Sequence, residues 1–303
     1  MKKLLLIDTF NFLHRAYHAL PKSFKDANGE PTNAVYGVSS MLINIFDLIK
    51  PDYVIAALDS QKPTFRVESF TAYKAHRKEM DTELAVQIPK IFEIIDSFGV
   101  TKIVADGYEA DDIIGTAAVK FANEDLQVIV ASNDKDLWQL SNENVRVILP
   151  NTNGQVEWLD YAEISSRLGF EPINLIDYKA LRGDASDNIP GVYGIGEVTA
   201  KSLIEKYKTL ENIYENINDV KPETLKTKLI ENIEIAYTSK SLATIITDAP
   251  IELNLEKCKY TQFNRIKVVE QMRKFNFKSL VRRLGFDVEV QKTQNNDDQL
   301  KLL

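Results

Sequence analysis

A chain of 303 residues, 44% apolar and 27% charged, with only twelve Gly and ten Pro, has the makeup of a folded globular protein of one large or two ordinary domains, which excludes collagen-like, low-complexity and largely disordered classes. The single cysteine, Cys258, excludes an internal disulfide, no run of about 18 apolar residues exists, and the apolar run in MKKLLLIDTF is short for a signal peptide, so a cytoplasmic location is expected. A net charge of −7 argues at first against a polyanionic partner.

In chain order, residues 3–8, 53–59, 101–106, 126–132 and 145–149 are short runs rich in Val, Ile and Leu, as in parallel strands covered on both faces. Helical patterns separate them over 34–49, with Asn33 as cap, over 82–98, where Pro89 predicts a kink or a helix start, and over 109–121. This alternation predicts an α/β sheet with right-handed crossovers. After residue 160 the strand signal fades, with the break placed at the Asn151–Gly154 turn, and helices are predicted over 160–168, 172–182, 197–206 and 222–246, as a second, all-helical domain. The stretch 288–303 is polar and reads as a linker or frayed tail.

The first four predicted strands each carry acid at or just beyond their C-terminal ends: Asp8, Asp59, then Glu109, Asp111 and Asp112, then Asp134 and Asp136. In an open parallel sheet that edge is where ligands bind. Such crowding is self-repulsive unless cations neutralise it, and oxygen-rich clusters suit hard divalent ions such as Mg²⁺ or Mn²⁺. Asp8 or Asp112 alone would as readily be a helix cap. Capping needs one side chain per helix, which leaves the combined pattern unexplained.

Three further features stand out. Asp184 and Asp187 lie in ALRGDASDNIPG, a Gly- and Pro-marked loop where Asp also serves turn chemistry. GVYGIGEVTAKSL (191–203) has the order G-x-x-G-x-G with no strand before it. It suits either a helix-hairpin-helix turn whose amides hold a phosphate or a plain Gly-capped interhelical turn. The segment 62–79 interleaves Lys62, Arg66, Lys74, Arg77 and Lys78 with Phe65, Phe70 and Tyr73, and suits either nucleic-acid contact or a solvated helix.

Taken together, GYEADDIIGT, SNDKDLWQL, LDSQKPTFR with YKAHR, and LRGDASDNIPGVYGIGEVTA resemble the 5′-nuclease (flap endonuclease) family, in particular the 5′→3′ exonuclease domains of bacterial DNA polymerases; the likeness runs from residue 2 to about 287. The resemblance implies an α/β, PIN-like, mostly parallel sheet with flanking helices and a helical arch near 62–90, followed by an all-α helix-three-turn-helix (helix-hairpin-helix-type) domain. The expected division is 1–160 catalytic, 161–287 helical and duplex-binding, and 288–303 linker. The implied activity is divalent-metal-dependent phosphodiester hydrolysis near the 5′ end of flapped, nicked or RNA-primed duplex DNA.

Carried over residue by residue, Asp8, Asp59, Glu109, Asp111 and Asp112 fall on the family's first acidic cluster, and Asp134, Asp136, Asp184 and Asp187 on its second, for two or more Mg²⁺ or Mn²⁺ ions. Lys74 and Arg77 fall on the basic residues of the arch and are the expected catalytic cations, with Tyr73 beside them. Gly191, Gly194 and Gly196 fall on the hairpin that grips duplex phosphates and in the family also binds K⁺. Lys179 and Lys201 are further candidates for DNA contact. Many members have Gly after the first Asp, where this chain has Thr9-Phe10.

Setting the nine site acids aside turns the net −7 into +2 for the rest, so the acidity is concentrated at the expected metals. Residues 257–283 hold nine Lys and Arg against Glu270 alone. A haloacid-dehalogenase-like phosphatase would need a second Asp at position 10, where Phe stands; a non-catalytic DNA-binding module would lack acids that are all present; a PIN-type ribonuclease would lack the 191–196 hairpin. A polymerase domain on the same chain, a monomer and no membrane complete the expectations.

Overall fold

Strand β1 (Lys2–Asp8) explains the layering: Leu4 and Leu6 point into one hydrophobic core, Leu5 and Ile7 into the other. Successive strand side chains face opposite ways, so a run apolar at every position belongs between two covered faces. The same split holds for β2 (Tyr53–Leu58) and β4 (Leu126–Ala131), with Ile55 and Val128 on one side, Val54 and Ile129 on the other. This computed structural model describes residues 1–260 and 262–286; the linker expected over 288–303 lies outside the described residues.

With β3 (Thr101–Val104), β5 (Val145–Pro150) and β6 (Val156–Leu159), the sheet runs in the order β3-β2-β1-β4-β5-β6. The first five strands are parallel, and Leu6 sits opposite both Ile55 and Val130. β6 is antiparallel to β5. It was not anticipated because VEWL is only four residues long and Glu157 interrupts its apolar run. The Asn151–Gly154 turn is therefore a hairpin within the sheet and not the point where the sheet gives way to helices. β3 is an edge strand and only partly buried.

On one face pack α1 (Thr9–Ala19), α2 (Asn33–Ile49) and α5 (Ile88–Ser97), which starts one residue before Pro89 as a first-turn proline favours. Asn33 is the first residue of α2 and not its cap; its amide donates to the Tyr17 and Leu20 carbonyls at the end of α1. The helices of the 62–90 region are short, and α5 begins at its end. The region holds α3 (Phe65–Ser69) and α4 (Thr82–Ala85), joined by consecutive turns.

The other face carries α6 (Ala110–Phe121). From residue 161 the described chain is helical and irregular, with α7 (Tyr161–Leu168), α8 (Leu175–Arg182), α9 (Glu197–Tyr207), α10 (Leu210–Glu215), α11 (Glu223–Glu231) and α12 (Ile233–Ala243). Ile164, Leu181, Ile204 and Leu229 join one core with Ile113, Ile114 and Leu6, so the helical half is built directly onto α6 and the sheet. The last helices, α13 (Arg265–Lys274) and α14 (Lys278–Arg283), return to the opposite face, where Val268, Met272 and Leu280 pack in the core of α2 and α5. The basic 257–283 segment thus braces the α/β half and stands apart from the rest of the helical half. Among the described residues no helix is long and apolar enough to cross a membrane.

Candidate active site

Parallel strands deliver their C-terminal residues to one rim. Asp8 closes β1, Asp59 follows β2, Glu109 and Asp111 stand at the N-terminus of α6 after β3, and Asp134 follows β4. All five line one cleft of about 970 Å³, together with Lys74, Arg77, His14 and Phe10.

Local bonds fix the rim. Asp8 accepts from the Asn11 amide at 3.0 Å, capping α1, and from Ser132 Oγ at 2.7 Å. Ser132 Oγ also accepts from the Asp134 amide at 3.0 Å, and Asp134 accepts from the Asp136 amide at 2.9 Å. Asp59 accepts from the Ala110 amide at 2.8 Å, tying β2 to α6. Asp8 therefore caps a helix and lines the rim at once. The Thr9-Phe10 departure is absorbed without strain: Asp8 is extended at φ −80°, and α1 starts at Thr9 with no left-handed residue that would call for Gly.

Crowding shows in the protonation of the rim. Burial pushes Asp8 up to about 7, with Asp59 and Asp134 adding repulsion. Burial, Asp134 and Asp8 together hold Asp111 well above the usual carboxylate range, and burial with Glu109 raises Asp59. At Asp59 and Asp111 burial and mutual repulsion outweigh the pull of Lys74, and such a donor set suits hard divalent ions. As the side chains stand, no three His, Cys, Asp or Glu among the described residues enclose an ion; ammonium groups lie between the acids. Lys74 Nζ is 2.8 Å from Glu109 and 3.7 Å from Asp187. Lys179 bridges Asp136 and Asp184. Burial lifts Asp136 to about 6 against the pull of Lys179, whereas at Asp184 burial is outweighed by Lys179 and Ser186, which hold it at about 2.

Several expected residues sit otherwise than expected. Asp112 is fully buried, and its two oxygens accept from both terminal nitrogens of Arg66 at 2.8 and 2.7 Å, from the Glu109 amide at 3.0 Å and from the Ile246 amide at 2.9 Å. Four donors fill a carboxylate, leaving no lone pair for a metal. Tyr73 is 4% exposed, packs with Ile189, Leu242 and Ala243, and directs its hydroxyl at Glu109 and Asp187, so no ring face is open for base stacking. Lys179 is buried between its two acids, and its ammonium is taken up by them. Gly191 is buried with its amide on Ser239 Oγ, and an added Cβ would meet Gly183 N at 2.2 Å; the glycine serves backbone packing.

Gly194 and Gly196 do lie on an exposed turn opening α9, beside Tyr193 and Val198, which are 86% and 82% exposed. Lys228 Nζ reaches the Gly194 carbonyl at 3.3 Å, and half-exposed Lys201 pairs with Glu197 at 3.2 Å. Arg77 bonds Asp187 while staying 54% exposed. Sequence reasoning missed Ser132, which links Asp8 to Asp134, and gave Arg66 no part in holding Asp112. Neither carries a signal until the fold places its partner.

Residues 3–169 match the family described as 5′-3′ exonuclease, N-terminal resolvase-like domain, and residues 170–266 that described as 5′-3′ exonuclease, C-terminal SAM fold. DNA polymerase I of Bacillus subtilis is 39% identical over 299 residues, covering 98% of this chain and 34% of the relative. DNA polymerase I of Caldicellulosiruptor bescii is also 39% identical, over 95% of this chain and 34% of its own length, so the chain spans about a third of these relatives. Among solved structures, the T5 D15 protein co-crystallised with metal ions superposes with a TM-score of 0.66 at 20% identity, over 90% of this chain and 100% of that one. The catalytic core of Rad2 in complex with DNA substrate gives 0.58 at 16% identity, over 93% and 92%. With both halves matched in sequence, the chain belongs to the 5′-3′ exonuclease family.

Proposed function

We propose that this chain is a structure-specific 5′→3′ exonuclease and flap endonuclease, hydrolysing phosphodiesters near the 5′ end of flapped, nicked or RNA-primed duplex DNA in replication and repair. The observation that carries this reading is the convergence of Asp8, Asp59, Glu109, Asp111 and Asp134 on one cleft with Lys74 and Arg77 at its edge. The burial and repulsion that raise Asp8, Asp59 and Asp111 make them fit a divalent cation, which we take to be Mg²⁺ or Mn²⁺. Asp136, Asp184 and Asp187 would hold a further ion. Bound there, such ions supply Lewis acidity and a water of lowered pKa.

The chain's own groups do the remaining work. The Ser132 and Asn11 bonds hold the Asp8 carboxylate in place, and the Ala110 amide does the same for Asp59. Lys74 and Arg77, ion-paired to Glu109 and Asp187, are placed to shift to a phosphate and stabilise its negative charge. The exposed Gly194–Gly196 turn is suited to a duplex backbone, with Lys201 one helical turn on. Any K⁺ there would share the turn with Lys228. The relatives' length supports a polymerase domain on the same protein, and we take the protein to act as a cytoplasmic monomer.

The test is a 5′-flap duplex incubated with Mg²⁺ and, separately, with chelator, followed by mapping of the cut. Metal-dependent cleavage near the flap junction is expected. Binding without cleavage would leave the non-catalytic module as the better account.

A further inference from the structure

Residues 70–81 connect the two short helices of the 62–90 region, and their first part is tied at backbone level to the loop that follows α8. Asn188 Nδ2 donates to the Ala72 carbonyl at 2.7 Å, and the Lys74 amide donates to the Asp187 carbonyl at 2.9 Å. These two bonds, one donated from each segment, grip the peptides on either side of Tyr73. Both facing residues are left-handed: Lys74 has φ 53° and Asn188 φ 57°. Asn adopts that conformation readily, whereas a long side chain such as Lys avoids it and holds it only when its surroundings impose it.

The loop side of the grip is rigid. Asp184 and Ile189 exchange both backbone bonds at 2.9 and 2.8 Å. Just beyond, the Gly191 amide is held by Ser239 Oγ at 3.0 Å and the Val192 amide by the Leu181 carbonyl at 2.8 Å. Lys74 leaves this anchored backbone and places its ammonium 2.8 Å from Glu109.

We propose that Asn188 is a positioning residue for Lys74: by clamping the Ala72 carbonyl it fixes the left-handed turn that aims the Lys74 ammonium at the acidic rim. The clamp also joins the chemistry to the helical half, since the chain runs from Asn188 directly into the 191–196 turn. Asp187 meets the segment through its carboxylate as well, but Asn188 contributes no charge and touches no acid of the rim in any recorded bond. Its action is on the backbone that carries Lys74. This inference rests on the nuclease reading for its catalytic consequence and on geometry alone for the clamp.

The test is a double-mutant cycle with Asn188→Gly, which keeps the left-handed backbone and removes the amide, and Lys74→Ala. On a 5′-flap substrate at saturating enzyme with Mg²⁺, Asn188→Gly is expected to slow the single-turnover step roughly tenfold, as a misaimed group does, and to leave Ca²⁺-supported substrate affinity within about twofold. In the Lys74→Ala background the same change should cost less than about twofold, because its target is gone. Asn188→Asp, of the same shape and also tolerant of the turn, sets an acceptor against the Ala72 carbonyl and should be no better than Gly. Hydrogen exchange of peptides covering 70–77 gives a readout independent of activity: the Lys74 amide should lose protection in Asn188→Gly. Equal losses in both Lys74 backgrounds, or unchanged rate and unchanged exchange, overturn the proposal. If the wild type shows no metal-dependent cleavage, the nuclease reading fails, and the exchange measurement alone decides the clamp.

Discussion

Asp111 and Asp112 are chain neighbours of identical chemistry, and their environments predict opposite responses to the same substitution. Asp112→Asn removes one partner of a buried, bidentate ion pair whose side chains are 3% and 0% exposed. Breaking such a pair costs about 3–5 kcal/mol, because the remaining charge stays desolvated. Glu109 at 3.7 Å still faces Arg66, which favours the lower end, near ~3 kcal/mol. For a chain of this size that is a fall in Tm of roughly 5 °C. Asp111→Asn instead removes a charge that burial, Asp134 and Asp8 oppose. A carboxyl raised above its unfolded pKa contributes stability that is complete below about pH 4 and lost as the pH climbs through the folded value. The substituted amide does not ionise, so Tm of Asp111→Asn at pH 8 in chelator should rise above wild type and the gain should vanish by pH 4. Thermal unfolding of both variants, in chelator at the two pH values and with Mg²⁺ at pH 8, checks this. Mg²⁺ should stabilise wild type, as any ligand of the folded state does, and should stabilise Asp111→Asn far less. A loss of Tm at Asp111→Asn equal to that at Asp112→Asn, or an unchanged Tm at Asp112→Asn, would refute the separation of the two residues.

Lys74→Ala should slow single-turnover cleavage by on the order of 10² or more while changing Ca²⁺-supported binding little, the signature of a contact strengthened in the transition state; a weakened Kd with an unchanged saturated rate makes it an ordinary phosphate contact. Asp59→Asn or Asp134→Asn should abolish cleavage with DNA affinity equal to or above wild type, and near-wild-type cutting with Mg²⁺ would exclude that residue as a ligand. Gly194→Val, at φ 77° on the exposed turn, should weaken binding to duplex and spare single strands. Gly191→Val should lower Tm before any binding effect is seen, since its Cβ has no room beside Gly183; duplex-specific weakening without a Tm change would show that Gly191 also meets DNA.

The strand-end acids were legible because parallel strands have one C-terminal edge. Apolar runs ending in Asp, or followed by it, can only bring those acids to one rim. Asp112 was not distinguishable from Asp111 because the distinction lies in Arg66, 46 residues away, and in the Ile246 amide, 134 residues away. No spacing rule joins these positions; only the packing of the helical half onto α6 does. Tyr73 and Lys179 misled for a related reason. Aromatic and basic residues beside a nucleic-acid-like motif suggest exposed contacts, but here the 70–77 segment folds down onto the 184–189 loop and buries the ring. β6 escaped because it is only four residues long with Glu157 inside it, too short for its apolar pattern to register as a strand.

The three cations buried among the acids differ in a way that separates frame from chemistry. Arg66 meets Asp112 through a planar fork with both arms bonded, a pairing that Lys cannot replace and that has little freedom to rearrange. It locks the start of α6 to the chain at 242–246, since Arg66 also donates to the Leu242 and Thr244 carbonyls and Asp112 accepts from Ile246. Lys74 and Lys179 carry point charges on flexible stems, each shared between two acids. An ammonium so placed balances a carboxylate pair, and under the proposed metal reading it is the group a divalent ion would compete with, since the ion's larger charge compensates more of the repulsion on the rim. On that reading a displaced Lys74 would carry its charge to the nearest other anion, within the reach that the proposed Asn188 clamp sets. Arg66 thus belongs to the frame of the site, and Lys74 and Lys179 to the part proposed to rearrange. With four donors on its two oxygens, Asp112 is the acid we leave out of the proposed metal set, whereas Glu109, Asp136, Asp184 and Asp187 stay in it beside Asp8, Asp59, Asp111 and Asp134.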